Sequence, residues 1–336
     1  MKAKTIKSNL RWKINDWIKS IEDEKLQEVA QRNVIVTGGS IVSMLLNEQV
    51  NDYDVYFRTS EAARAIAEYY VTKFKLNTSN RHKMDEGSPE PGQEIPIYVE
   101  DDEHGVRIVV KSAGIVQEGG TDEYQYFEAQ PDEVGEGHVD QQFSAVKAEM
   151  EGGGSFEGQL EKADEVPATV VDDEKPKYRP VFLSANAITL SNGVQLVLRF
   201  IGEPEVIHKF YDFIHCTCYW SSWDGELVLP AAALEAIITK ELRYVGSLYP
   251  LCSIIRIRKF VARGWHINAG QILKMCVQLN ALDLLNIEVL KDQLTGVDAF
   301  YFMQVIDRLK EKQLEEGGDP KPVDATYLMT IIDRMF

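Results

Sequence analysis

Apolar residues recur at helical spacing over two stretches near the start of the chain. From residue 8 to residue 32 they return every three or four positions with a break near Ser20, which predicts two consecutive helices. A second stretch, Glu61–Leu76, follows Ser60, whose side chain is suited to cap a helix N-terminus. We expect these helices to pack their apolar faces against a sheet.

Strand patterns are typical of two later regions. The run Val106–Val110 predicts a single strand. Two further runs, Val181–Leu190 and Val194–Phe200, are separated by Ser191–Gly193, and the Asn-Gly pair in that separator favours a tight hairpin turn. A short helix is predicted over Glu205–Phe210.

The remaining sequence divides into an acidic segment and a helical end. Residues 77–178 are rich in Gly, Glu, Asp and Pro, which indicates an insertion that is either solvated or ordered by a partner. From Pro230 onward the spacing is helical, and the predicted helices are Ala231–Leu242, Leu251–Arg263, Asn268–Ala281, Val297–Lys312 and Asp324–Met335. We therefore predict two domains, residues 1–229 with the insertion at about 77–178, and residues 230–336.

The net charge of the chain is −17, but it is unevenly distributed. Residues 81–180 hold 25 acidic and 9 basic residues, a net charge of −16, which leaves −1 for the rest of the chain. A local basic groove for a nucleotide or RNA is therefore compatible with the composition. No apolar run approaches the ~20 residues of a membrane span, and four cysteines are too few for a disulfide scaffold, so we expect a soluble cytoplasmic protein that does not bind membranes.

The main chemical signal lies between the two helical stretches. An apolar run, Val34–Val36, leads into Gly38, Gly39 and Ser40 and then into a helical pattern over Ile41–Glu48. Glycines at such a turn let a ligand approach the backbone, and a helix N-terminus offers unpaired N–H groups and a partial positive charge. These three residues therefore predict a phosphate-binding turn.

Two carboxylates follow on a second predicted strand. Asp52 and Asp54 are two residues apart, so they project from one face of a strand, while Tyr53, Val55 and Phe57 point to the other face and a core. Like charges at this distance repel unless a hard cation lies between them, and Mg²⁺ prefers carboxylate and phosphate oxygens. The pair predicts a magnesium site; a hairpin with solvated aspartates is the simpler alternative.

Gly-Gly-Ser, eleven residues and then Asp-x-Asp in an apolar strand resembles the signature of the DNA polymerase beta-like nucleotidyltransferase superfamily, which includes CCA-adding enzymes and poly(A) polymerases. The stretch YRPVFLSANAITL is similar to a phage-encoded group of predicted nucleotidyltransferases. The resemblance implies an α+β fold, a polymerase-beta-like mixed sheet with helices followed by an α-helical C-terminal domain. It also implies two Mg²⁺ ions held by three carboxylates, and transfer of a nucleotidyl group from an NTP, with ATP the first choice, to a hydroxyl of an RNA 3′ end or a protein, with release of pyrophosphate.

The superfamily pattern requires a third carboxylate on a later strand, and Asp212 is the candidate. It opens an apolar run that predicts a strand, and buried acids at such positions are uncommon without a charge partner. The resemblance thus implies Asp52, Asp54 and Asp212 as metal ligands and catalytic residues. An ordinary strand-initiating aspartate is the alternative, and a structural hydrogen bond is the expected role of nearby His215.

Basic residues concentrate in the first helices of the C-terminal region. Residues 231–265 hold six basic and two acidic residues, a net charge of +4. Such a basic helical surface suits a triphosphate or an RNA backbone, and the region loosely resembles basic helices of template-independent nucleotidyltransferases. We therefore predict that Lys240, Arg243, Arg256 and Lys259 bind the nucleotide, with a solvated basic face as the alternative.

Two other classes of function stay open at this point. One is a non-catalytic binding or virion assembly protein that keeps the nucleotidyltransferase fold, and the other is a protein adenylyltransferase of toxin or antitoxin type. Release of pyrophosphate from ATP in the presence of Mg²⁺ separates an enzyme from a binding protein. The acceptor, the preferred base and the oligomeric state are not specified by the sequence.

Overall fold

A computed structural model of the protein describes residues 1–76, 97–102, 105–110, 126–128, 176–286, 289, 290, 293 and 329. The chain divides into two compact units. Of the described residues, the first unit contains those up to Lys209 together with Cys218–Leu229, and the second contains Phe210–Thr217 and those from Pro230 onward. The domain boundaries suggested by the sequence stay a prediction.

Two helices open the first unit, as predicted. Helix α1 spans Ala3–Lys19 and helix α2 spans Glu24–Asn33. Ser20 separates them, and its hydroxyl donates to the Trp17 carbonyl at 2.6 Å. The side chain of Asp23 then caps α2 by accepting backbone N–H groups of its first turn. The residues of α1 that form its buried face are Ile6, Leu10, Ile14, Trp17 and Ile18.

A mixed sheet forms the centre of the first unit. The described strands are β1 (Val34–Thr37), β2 (Tyr53–Phe57), β3 (Ile97–Asp102), β4 (Gly105–Val110), β5 (Tyr126–Glu128), β6 (Pro180–Ser184), β7 (Ala187–Leu190), β8 (Val194–Val197), β9 (Tyr219–Ser221) and β10 (Leu227–Val228). Eight of them pair in the order β10-β9-β1-β2-β8-β7-β6-β5, and β3 pairs with β4. Strands β2 and β8 run parallel, whereas the pairs on either side run antiparallel. The predicted α+β class with a mixed sheet is confirmed.

Helices α3 (Gly39–Leu46) and α4 (Ser60–Leu76) lie on either side of β2 in the sequence. Helix α3 stops at Asn47, which adopts a left-handed conformation with φ 59°. The cap predicted for α4 was wrong by one residue. The hydroxyl of Thr59 accepts a backbone N–H of the first turn at 3.2 Å, and Ser60 lies within the helix.

The hairpin predicted around an Asn-Gly turn is confirmed. Strands β7 and β8 pair antiparallel, and Asn192 and Gly193 adopt φ angles of 66° and 64° at the turn between them. The run Val181–Leu190 is not one strand, however. The hydroxyl of Ser184 accepts the Ala187 N–H at 3.1 Å, and this local bond turns the chain between β6 and β7.

A short helix α5 (Pro204–Ile207) and a 3₁₀ turn (His208–Phe210) occupy the predicted helix Glu205–Phe210. In the second unit the described helices are α6 (Ala231–Thr239), α7 (Pro250–Ala262) and α8 (Ala269–Leu279). Apart from Met329, the helices predicted over Val297–Lys312 and Asp324–Met335 lie outside the described residues, as does most of the predicted insertion. Within the described part of the chain, no helix is long and apolar enough to cross a bilayer.

Candidate functional site

Strand β1 leads into a glycine turn at one end of the sheet. Gly38 has φ 89° and ψ −145°, a conformation that glycine adopts readily and other residues rarely. Helix α3 begins at Gly39, where an added side-chain carbon would meet no atom of the described residues within 4 Å, and its first turn carries no acidic residue. The N-terminus of α3 is therefore accessible at Gly39, and its partial positive charge suits an anion.

Ser40 follows the glycines and is only 3% exposed. Within the described residues its Oγ atom has no hydrogen-bond partner. A buried polar group without a partner costs about 1–3 kcal/mol, so a ligand oxygen that reached it would recover this energy. Gly38, Gly39 and Ser40 thus fit the phosphate-binding role predicted for them, which stays a prediction.

The aspartates of the motif lie at the same end of the sheet as the glycine turn. Strands β1 and β2 pair antiparallel with Val36 opposite Val55, so one further step in this register brings Thr37 beside Asp54. Asp54 is half-buried, and Asp52, which precedes the strand, is exposed. Val55 and Phe57, which alternate with them in β2, are fully buried as the strand pattern predicted, whereas Tyr53, which was also predicted to face the core, is only half-buried.

These two carboxylates fit a magnesium ion bound together with a nucleotide. Mg²⁺ in proteins commonly takes one or two carboxylates and completes its coordination with substrate phosphates and water. Among the residues that the structure describes, no group of three or more His, Cys, Asp and Glu side chains is arranged to hold a metal. A magnesium ion held by Asp52 and Asp54 would therefore have to complete its coordination with other ligands, such as phosphate oxygens and water.

Asp212, the predicted third carboxylate, belongs to the second unit. The strand predicted to open there was wrong, because Ile214–Thr217 forms a 3₁₀ helix in which the Thr217 hydroxyl donates to the Ile214 carbonyl at 2.7 Å. Asp212 is 7% exposed, and Nη1 of Arg256 donates to its Oδ2 at 2.6 Å. Its charge is balanced within its own unit, and its role as a metal ligand stays a prediction.

The other residues predicted to bind the nucleotide also lie in the second unit. Arg243 donates to Glu235 at 2.9 and 3.0 Å and to Glu241 at 2.8 Å, and these hydrogen bonds raise the pKa of its guanidinium. Lys240 ends α6, and its Nζ donates to a backbone carbonyl at 3.1 Å. Lys259 is half-buried on α7. Arg243 and Arg256 thus have carboxylate partners, and the nucleotide-binding role of all four basic residues stays a prediction.

A histidine that the sequence did not single out lies beside the glycine turn. The buried hydroxyl of Thr37 donates to the Cys218 carbonyl at 2.9 Å and is 2.9 Å from Nε2 of His208. Because the hydroxyl proton is used on the carbonyl, Nε2 must be the donor to Thr37, which leaves Nδ1 as an acceptor. Burial lowers the pKa of His208 to about 4, so its ring is neutral at pH 7. His208 is 171 residues from Thr37, and no local pattern pairs them.

The hydrogen bond expected for His215 is not found in the described part of the second unit. Its ring is fully buried, and neither nitrogen has a hydrogen-bond partner there. The rings of Phe260 and Trp265 lie 4.7 and 4.3 Å from it, measured between centroids. Burial lowers the pKa of His215 to about 4, so this residue packs as a neutral aromatic ring.

Several solved structures match this chain at low sequence identity and with low TM-scores. The Thermotoga maritima CCA-adding enzyme complexed with tRNA_CCA is 10% identical over 88% of this chain and 54% of its own, with a TM-score of 0.35. The Bacillus stearothermophilus CCA-adding enzyme in complex with CTP is 13% identical over 89% of this chain and 50% of its own, with a TM-score of 0.36. A tRNA-processing enzyme with CTP is 12% identical, with coverages of 88% and 57% and a TM-score of 0.32. This chain therefore spans little more than half the length of these proteins.

Comparison of the sequence with protein families assigns the chain to one family. A search of curated proteins gives no match. The sequence pattern of the Gabija anti-defense 2 family matches residues 8–240, which include the glycine turn, both aspartates at the start of β2 and Asp212. The match covers more than half of the chain, and the protein therefore belongs to the Gabija anti-defense 2 (Gad2) family.

Proposed function

We propose that this protein is a Mg²⁺-dependent nucleotidyltransferase that moves a nucleotidyl group from an NTP, with ATP the first choice, to a hydroxyl acceptor. The observation that carries the proposal is the meeting of two features at one end of the sheet. The glycine turn before α3 is suited to phosphate, and the aspartates at the start of β2 are suited to a divalent cation.

The residues at this end of the sheet have two roles in the proposed reaction. The backbone of Gly38–Ser40 holds the phosphates, and Asp52 and Asp54 hold the cation. Held by these two carboxylates, Mg²⁺ would neutralise charge on the phosphates and lower the pKa of the acceptor hydroxyl. The acceptor oxygen forms a bond to the α-phosphorus, the bond from that phosphorus to the β-bridging oxygen breaks, and pyrophosphate leaves. The acceptor proton passes to solvent.

Membership of the Gad2 family gives this chemistry a biological context. The family name refers to counteracting a defence called Gabija. We infer that a component of that defence, an RNA or a protein, receives the nucleotidyl group and is thereby inactivated. A phage-encoded protein acting in this way would work in the cytoplasm of the host.

The proposal is tested by incubating the purified protein with each α-labelled NTP, Mg²⁺ and a mixture of RNA and protein. We expect label to enter one class of acceptor while an equal amount of pyrophosphate is released. The class that receives label distinguishes RNA tailing from protein adenylylation. Label transfer that is equal in the wild type and in Asp54→Asn would refute the site.

A second candidate is a binding protein that keeps the fold without turnover. One observation favours it, since Asp212, the predicted third carboxylate, is already paired with Arg256 at 2.6 Å. Such a protein would bind an NTP with Mg²⁺ but release no pyrophosphate. Measuring binding and pyrophosphate release on the same preparation separates the two candidates.

A further inference from the structure

We propose that Lys13 is a positioning residue for Asp52 and Asp54, in which its ammonium joins the hairpin turn before β8 to Tyr53, the residue between these two aspartates. The inference rests on the proposed function for its catalytic consequence, but its structural part stands on contacts within the first unit alone. Lys13 lies on α1, 179 residues before Asn192 of the hairpin turn.

Within the described residues, a carbonyl oxygen and two aromatic rings contact the ammonium of Lys13, and the carboxylate of Asp16 also attracts it. Its Nζ donates to the Asn192 carbonyl in the hairpin turn. It also lies 5.3 Å from the ring centroid of Tyr53 and 5.1 Å from that of Tyr178, distances at which an aromatic face attracts a cation. Burial lowers the pKa of this ammonium. Its contacts therefore join α1, the turn and the start of β2.

The hairpin turn in turn sets the backbone that carries the aspartates. The Tyr53 N–H donates to the Gly193 carbonyl at 3.0 Å. A side-chain carbon at Gly193 would lie 2.7 Å from the Asn51 carbonyl oxygen, so the two backbones are in close contact. The next residues pair in parallel, with Asp54 opposite Gln195. A shift of the turn would therefore displace the segment from Asn51 to Asp54.

The charge of Lys13, and not only its aliphatic stem, is needed for this arrangement. A carbonyl oxygen and two aromatic faces all favour a cation, and an apolar side chain of similar length would leave the Asn192 carbonyl without this donor. Arginine keeps the charge and the donors. The structure thus predicts different outcomes for Lys13→Met and Lys13→Arg.

The test compares Lys13→Met, Lys13→Arg and a control, Lys4→Met, which removes an exposed lysine from the same helix. Hydrogen exchange of the Tyr53 amide, affinity for Mn²⁺ in the presence of an NTP, and the kcat and KM of transfer are measured for each. In Lys13→Met we expect faster Tyr53 exchange and about a tenfold loss of Mn²⁺ affinity and kcat, as for other residues that orient a metal ligand. KM for the NTP should change little, Lys13→Arg should restore most of the loss, and Lys4→Met should match the wild type.

Unchanged Tyr53 exchange and unchanged Mn²⁺ affinity in Lys13→Met would overturn the positioning role. If that variant does not fold, Lys13→Gln, which keeps a polar side chain without the charge, is measured in its place by the same criteria. Failure of the proposed function has a different signature. The wild type would then show neither transfer nor Mn²⁺ binding, while Lys13→Met would still exchange faster at Tyr53.

Discussion

The carboxylates of the two units lie in opposite environments. Asp52 is exposed and Asp54 is half-buried at one end of the sheet, beside an accessible helix N-terminus, whereas Asp212 is 7% exposed and bonded to Arg256 at 2.6 Å. A cation that bound to Asp212 would first have to displace this guanidinium from a buried carboxylate. The surroundings of an acidic residue, as well as its place in a sequence motif, therefore affect whether it can bind a metal.

Asparagine substitutions at Asp54 and at Asp212 should give the largest difference, because one should affect activity and the other stability. Asp54→Asn should lower pyrophosphate release by about 1,000-fold or more, because a catalytic cation is worth several kcal/mol. Its melting temperature should stay near that of the wild type. Asp212→Asn should instead lower the melting temperature, because Arg256 loses its counter-charge. Turnover of Asp54→Asn at the wild-type rate would contradict the assignment of the edge.

A substitution in the glycine turn should have the next largest effect, which is on the affinity for the NTP. Gly39→Ala should weaken NTP binding by about 10- to 100-fold, the range that one misplaced methyl group can cost in a binding site. The fold should tolerate it, since the added carbon meets nothing within 4 Å in the part of the chain that the structure describes, and alanine favours a helix over glycine. Calorimetric titration measures the affinity, and thermal unfolding is the control. Undiminished affinity would show that phosphate does not bind against Gly39.

The ion pair of the second unit can be measured by a double-mutant cycle. Urea unfolding of Asp212→Asn, Arg256→Gln and the double variant should give a coupling energy of about 2 kcal/mol. Solvent screening keeps it below the value of a fully buried pair, since the Arg256 side chain is 38% exposed. A coupling energy near zero would mean that Asp212 is available to a cation after all, and the contrast between the units would disappear.

The buried His215 should make stability depend on pH. Its pKa is lowered from 6.5 to about 4 in the folded chain, so below about pH 6.5 the unfolded chain binds a proton that the folded chain does not. Stability therefore falls as the pH falls from about 6.5 toward 4, and this histidine alone should cost about 0.7 kcal/mol between pH 7 and pH 6.

His215→Phe should remove this part of the pH dependence, since phenylalanine fills the same aromatic environment without a titrating group. His208 titrates in the same direction and serves as the internal reference, because its contribution stays in the variant. Free energies of unfolding at pH 6 and pH 7 provide the measurement. Equal pH dependence in the two proteins would mean that the His215 ring is protonated normally when folded.

Local sequence patterns predicted the elements that form the candidate edge. The apolar run of β1, the glycines before α3 and the alternation of β2 are local patterns, each confined to a few consecutive residues, so the sequence shows them directly. The hairpin turn was predictable for the same reason, because Asn192 and Gly193 can both adopt positive φ. The wrong strand at Ile214–Thr217 has a physical cause, since a short apolar and aromatic run suits a strand and a tight helical turn about equally well.

Contacts between distant residues could not be predicted in this way. Lys13 and Asn192 are 179 residues apart, and Thr37 and His208 are 171 apart, so they meet only through the folded sheet. The pairing of Asp212 with Arg256 is of the same kind, because the sequence marked both as candidate ligands and gave no sign that they bind each other. Burial and pairing, which decide availability, arise only at the level of tertiary structure.

The proposed cation site at Asp52 and Asp54 is tested most directly by titrating the protein with Mn²⁺, as a substitute for Mg²⁺, in the presence of a non-hydrolysable NTP. Electron paramagnetic resonance measures the bound Mn²⁺. We expect the wild type and Asp212→Asn to bind Mn²⁺ saturably and the double variant Asp52→Asn, Asp54→Asn to lose this binding while remaining folded. Mn²⁺ binding that is equal in the wild type and the double variant would show that Asp52 and Asp54 do not hold the cation.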